Sequence, residues 1–148
     1  MNLNKKKIIL FSILCLLAIG LAVGYYLYNK GPRDVKNATG IKITAIALYQ
    51  AYTTDTALAR KTYDNKIVET TGIVMQVTQN QQNQALIMLK TNDDGAFINC
   101  TMEGPVNTVK EKDVISIKGI CIGLQGVEID MGIKGDVCLT NCYLVKEN

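Results

Sequence analysis

At 148 residues, 48% of them apolar, the chain is long enough for one ordinary domain with a core of its own. It contains no His and no Trp, which removes Ser-His and Cys-His nucleophile pairs and His-containing zinc sites together. The formal net charge of +3 divides into +5 over residues 1–40 and −2 over the remainder, so the part that folds lacks the basic excess that governs affinity for phosphate backbones.

Residues 1–7 form a basic N-terminus ending in Lys5, Lys6 and Lys7. From Ile8 to Tyr28 no side chain is charged. As a helix this run reaches about 31 Å, the hydrocarbon thickness of a bilayer. Tyr25, Tyr26 and Tyr28 cluster at one end, as at a lipid–water boundary, and the lysine triplet at the other end places the N-terminus in the cytoplasm. The expectation is a single-pass signal anchor over residues 8–28 in the inner membrane, with membrane lipid as its partner and the C-terminal domain extracytoplasmic. A cleaved signal, with secretion of the domain, is the alternative, since "AIG" and "AVG" resemble small-x-small cleavage sites. Cys15 follows Leu14 rather than a small residue, so it reads as an apolar helix position and not as a lipidated cysteine.

Residues 29–40 mix charge, Gly, Pro and Asn without apolar periodicity and read as a linker. The domain proper is expected over 41–148. Residues 43–63 look helical, in two pieces: Thr44 caps the first, and Thr54 followed by Asp55 caps the second. Leu48, Ala51 and Tyr52 share a face of the first piece. The period then changes to that of strands at 66–79, 85–91, 96–102, 114–124 and 136–145, with turn signals at 80–83 and 92–95. Residues 103–113 are a longer connection with room for a helical turn, and 125–135 a glycine-spaced loop or irregular hairpin. Five short strands with one long connection predict a mainly β, five-stranded OB-fold-like Greek-key barrel with a helical lead-in, Gly72 and Gly119 supplying its bends.

Three stretches, "ITAIALYQAY" running on to "KTYDNKIVETTGIV", "DVISIKGICIGL" and "DVCLTNCYLV", resemble the bacterial tRNA-anti-like OB-fold family of envelope proteins and lipoproteins. The resemblance spans about residues 41–146. Its most specific parts run from Tyr63 to Gly72, with Lys118, Gly119 and Cys121, and with Leu139, Asn141 and Cys142. Family members often carry "TAEELY" where this chain has "TAIALY", so the capping box is lost here. The resemblance implies the fold and no established ligand or activity.

Four cysteines lie in the domain, and in an oxidising compartment they suggest disulfides with three connectivities open. Cys121 and Cys142 fall in the two family motif pieces on neighbouring OB strands, so the resemblance favours that bridge, with Cys100–Cys138 second. No C-x-x-C knuckle suggests a metal site. Asp93–Asp94 in "NDDG" is a hairpin turn rather than a calcium loop, and Glu128 and Asp130 read as the solvated face of a strand. The strands offer only Phe97 and Tyr143 as stacking platforms, which disfavours nucleic acid. The first hairpin, "TQNQQNQ" over 78–84 with Gln79, Asn80, Gln81, Gln82 and Asn83 at its centre, can form a polar ligand rim of the kind OB-folds use. The sequence thus points to a non-enzymatic membrane-anchored interaction module without catalytic residues or cofactor. An envelope protein or glycan is the expected partner, and single-stranded nucleic acid or oligosaccharide on the OB face is the alternative.

Overall fold

The structure is a computed structural model describing residues 5–29, 34–104 and 106–145. The first four residues of the basic N-terminus, positions 30–33 of the predicted linker, Pro105 and the last three residues lie outside the described set. The chain divides into two compact units, residues 1–33 and 34–148. The first contains helix α1 (Lys5–Asn29). Within it, Lys7–Tyr28 has a mean hydropathy of 2.6 and none of its described side chains is buried, so it is long and apolar enough to cross a membrane.

The second unit begins with a turn. Asp34 accepts hydrogen bonds from the backbone and side-chain amides of Asn37, at 3.2 and 2.8 Å, and Val35 beside it is buried. Then follow β1 (Ile41–Thr44), α2 (Ala45–Thr54), α3 (Thr56–Tyr63), β2 (Ile67–Gln79), β3 (Ala85–Lys90), β4 (Phe97–Met102), β5 (Val114–Gln125) and β6 (Asp136–Leu144). The sheet order is β1-β2-β3-β4-β6-β5, and β2 also pairs with β5. That last pairing closes β2 to β6 into the five-stranded barrel that the sequence predicts.

Closure depends on the length and bend of β2. Its first half, Ile67–Ile73, pairs antiparallel with β5, and its second half, from Val74, pairs with β3 after an irregular step between Val74 and Gln76. One strand thereby serves both walls. Gly119 falls at a similar irregular step in the β5–β6 ladder, between Lys118 and Ile120. A side chain there would collide with Cys142 Sγ and approach the Thr140 carbonyl oxygen at 3.1 Å. Gly72 serves close approach, because a Cβ there would lie 2.8 Å from Ala45 Cβ.

The five predicted strands agree with the observed ones within one residue at each end. A sixth, β1, is additional: Ile41–Thr44 pairs parallel with Val68–Thr71, where the sequence reading expected linker passing into helix. Four residues are too short to show a period of two, and only the tertiary partner makes them a strand. Thr44 caps α2 as expected, accepting from the Ala47 amide at 3.2 Å. Asp55 caps α3, accepting from Leu58 at 3.0 Å, in place of Thr54. No helix forms among the described residues of 103–113.

The core is the barrel interior, with Val68, Val74, Ile87, Leu89, Ile98, Ile117 and Leu139 fully buried. One end of the barrel is stopped by α2. Leu48, Tyr49 and Tyr52 are completely buried, and α2 packs against β1, β2, β3, β4 and β6.

Candidate functional site

Among the described residues, no helix covers the opposite end of the barrel. There the β2–β3 hairpin and the β4–β5 connection frame an open cavity of about 610 Å³. Its apolar wall comes from Val77, Ala85, Met102 and Val106, and its polar rim from Thr78, Gln79, Asn83, Gln84, Glu103 and Asn107. The hairpin holds its shape through Asn80. That side-chain oxygen accepts from the Gln82 and Gln84 amides at 3.0 and 2.9 Å, and its nitrogen donates to Gln84 Oε1 at 2.9 Å. Asn83 takes the left-handed conformation, φ 60°, that asparagine tolerates in turns.

Of the predicted rim, Gln79 and Asn83 line this mouth, Asn80 organises the turn behind it, and Gln81 and Gln82 project into solvent. The predicted 78–84 stretch also brings Thr78 and Gln84 to the rim, and sequence reasoning missed Glu103 and Asn107. The last two sit in the long connection, and nothing local shows that it folds back beside the first hairpin. Among the described residues, the rim is rich in amides and holds one carboxylate, and neither a cation nor an aromatic ring lines it.

Beside the mouth lies the outer face of β3 and β4. Inward residues Ala85, Ile87, Leu89, Ile98, Cys100 and Met102 are buried, so their alternates face out. The register sets Gln76, Met88, Asn99 and Cys138 in one row, Thr78, Leu86 and Thr101 in a second, and Lys90 beside Phe97 in a third. This face is mixed apolar and neutral-polar, with one cation and one aromatic ring.

The expected disulfides do not form: Cys100, Cys121, Cys138 and Cys142 are free thiols. Asn99 is opposite Cys138, and Cys100 opposite Leu139. Cys100 therefore points into the barrel and Cys138 out of it, on opposite faces of the sheet. Cys121 lies opposite Leu139, whereas Cys142 lies further along β6 and turns its sulfur across Gly119. The Cys121 sulfur instead contacts the Tyr52 hydroxyl at 3.3 Å, and that hydroxyl donates a short hydrogen bond to Asp64.

Burial, followed by the Asp64 and Cys121 contacts, pushes the Tyr52 phenol far up. The hydrogen bond with Cys142 and burial push the Cys100 thiol well up, and burial raises Cys121 and Cys138. Raised thiols are poor nucleophiles. Asp93 is occupied by Lys134 at 3.0 Å, in a turn held by Thr91 Oγ1, which donates to the Ala96 carbonyl at 2.7 Å. No group of three or more acidic or cysteine side chains suited to a metal ion occurs among the described residues. Glu128 is in an isolated bridge to Ile133 and Asp130 in a 3-10 turn, not along a strand.

Comparison with known proteins agrees with this architecture. The tRNA_anti-like family profile matches residues 1–134, reaching back over α1. Among solved structures, a lipoprotein of Klebsiella pneumoniae subsp. pneumoniae MGH 78578, provisionally named as nucleic acid-binding, superimposes with a TM-score of 0.50 at 20% identity. The alignment covers 78% of this chain and 100% of that one. A provisionally named aspartyl-tRNA synthetase from Leishmania major Friedlin aligns with a TM-score of 0.43 at 8% identity, over 81% of this chain and 22% of that one. No curated protein sequence matches.

Proposed function

This chain belongs to the tRNA_anti-like family, and for a member with this mouth and face we propose a non-enzymatic binding role at the cell envelope. Helix α1 holds it to the membrane, and the barrel mouth takes an uncharged oligosaccharide. The observation that carries the reading is the rim itself. Gln79, Asn83 and Asn107 present amides around an apolar-walled cavity of about 610 Å³, a volume in the range of small-molecule sites. Neutral amides and hydroxyls match sugar hydroxyls as donors and acceptors. Glu103, without a compensating cation on the rim, repels phosphate. The apolar helix Lys7–Tyr28 and the lipoprotein neighbour support a place at the membrane.

A second reading is single-stranded nucleic acid on the outer face, favoured by Lys90 beside Phe97. One cation and one ring give it little to work with, since such sites combine several stacking platforms with a basic groove. Titration calorimetry on the full-length chain in detergent separates the two, using a neutral N-acetylglucosamine oligomer and a ten-residue thymidine oligonucleotide as probes. The glycan should bind and the oligonucleotide should not, and Gln79→Ala with Asn107→Ala should weaken glycan binding at least tenfold. Oligonucleotide binding that falls steeply with salt, with no glycan heat, would replace the first reading by the second.

A further inference from the structure

The tip of the β5–β6 hairpin is an ordered apolar projection. Glu128 and Ile133 exchange both backbone hydrogen bonds, at 3.0 and 2.9 Å. A 3-10 turn, Ile129–Met131, fills the loop, and Gly132 closes it at φ 68°, a conformation suited to glycine. Ile129 is 88% exposed and Met131 70%, flanked by the partly exposed Val127 and Ile133. A contiguous apolar patch held out to water in a fixed shape marks a contact surface. It is also acidic. Glu128 and Asp130 enter none of the ion pairs among the described residues, while Lys134 is taken by Asp93.

At the far end of β5 is a complementary feature. Ile46, Ile73 and Val114 line an apolar groove of about 250 Å³ with Lys90 among its walls. The Lys90 ammonium likewise enters no ion pair among the described residues. Val114 opens the 12-residue β5 and Gln125 ends it, a strand of up to about 36 Å. A molecule therefore cannot seat its own tip in its own groove.

We propose that the hairpin tip of one copy seats in the groove of a second copy. Ile129 and Met131 enter between Ile46, Ile73 and Val114, and Lys90 meets Glu128 and Asp130. Charge complementarity selects this occupant, since the second copy's Lys90 offers both carboxylates a partner of opposite sign. The two surfaces differ, so the contact is head-to-tail and propagates into rows or rings. It is small, hence weak between free molecules, and it strengthens when the chains share a membrane at high effective concentration.

The test places a photo-crosslinking residue at position 129 of the full-length chain in phosphatidylcholine vesicles. Irradiation should give dimers and a higher ladder, with the linked peptide carrying Ile46, Ile73 or Val114. Lys90→Glu, checked for an unchanged melting temperature, should cut the yield at least fivefold. Adding Glu128→Lys and Asp130→Lys to that variant should restore at least half of it. Adducts confined to lipid, adducts on any other surface of the second copy, absence of adducts, or a yield indifferent to the charge exchange would each overturn the proposal.

Discussion

Tyr52 shows how single residues tie the helices to the barrel. Its ring lies 6.3 Å from that of Tyr63, and its hydroxyl donates to Asp64, the residue that ends α3. Asp64 in turn occupies the space a side chain would need at Gly123, which sits at φ +98°. The same hydroxyl meets Cys121 on β5. The thiols around it set a pH limit on stability. Cys100, Cys121 and Cys138 all have raised values in the folded chain against an ordinary 9.0. Below about pH 9 these thiols are protonated in both states, so their contribution is fully present. Above it the unfolded chain releases protons that the folded chain retains, and stability falls as pH rises. The urea midpoint should be level between pH 7 and 8 and decline from about pH 9 to 10. A midpoint constant through pH 10 would refute this account of the buried thiols.

At the scale of elements, α2 has the greatest structural consequence. It is a poor helix by local criteria, with no acidic residue in its first turn and no basic residue in its last, so its stability comes from packing. Leu48, Tyr49 and Tyr52 project from one face and stop the barrel end, while Leu58 on α3 is 60% exposed. Leu48→Ala should cost about 2–5 kcal/mol of unfolding free energy, as for a buried leucine that leaves a cavity. Leu58→Ala should change it by less than about 0.5 kcal/mol. Urea denaturation of both variants checks the contrast, and equal losses would remove α2 from its role as plug.

For the whole molecule, charge and hydropathy divide the chain as the contacts do. The second compact unit begins at Asp34, and none of the described side chains of Lys7–Tyr28 is buried. A chain starting at Asp34 should therefore remain in the supernatant with phosphatidylcholine vesicles and unfold in one cooperative step. The full chain should sediment with the vesicles. Equal partition of the two would mean that the second unit carries a membrane surface of its own. The same experiment bears on the proposed head-to-tail contact, which gains from tethering and should weaken in the untethered chain.

The five barrel strands, the two lead-in helices and the apolar N-terminal helix were legible in the sequence, because each is decided by a local pattern. Alternation over 67–79 and 114–125, a cap at Thr44 and an uncharged run from Ile8 to Tyr28 need no distant partner. Four of the six polar rim residues, Thr78, Gln79, Asn83 and Gln84, were legible for the same reason, since they lie in one hairpin. What joins remote segments was not. The parallel strand β1, the approach of Asn107 to Gln79, the groove between Ile46 and Val114, and the separation of the four thiols all follow from register and from barrel closure. A shift of one residue exchanges the two faces of a strand, and that shift divides Cys100 from Cys138. Composition decided that the folded part is mildly acidic and lacks histidine. Only the tertiary structure decided which of its neutral and acidic side chains meet in one place, because that depends on how strands far apart in sequence are aligned.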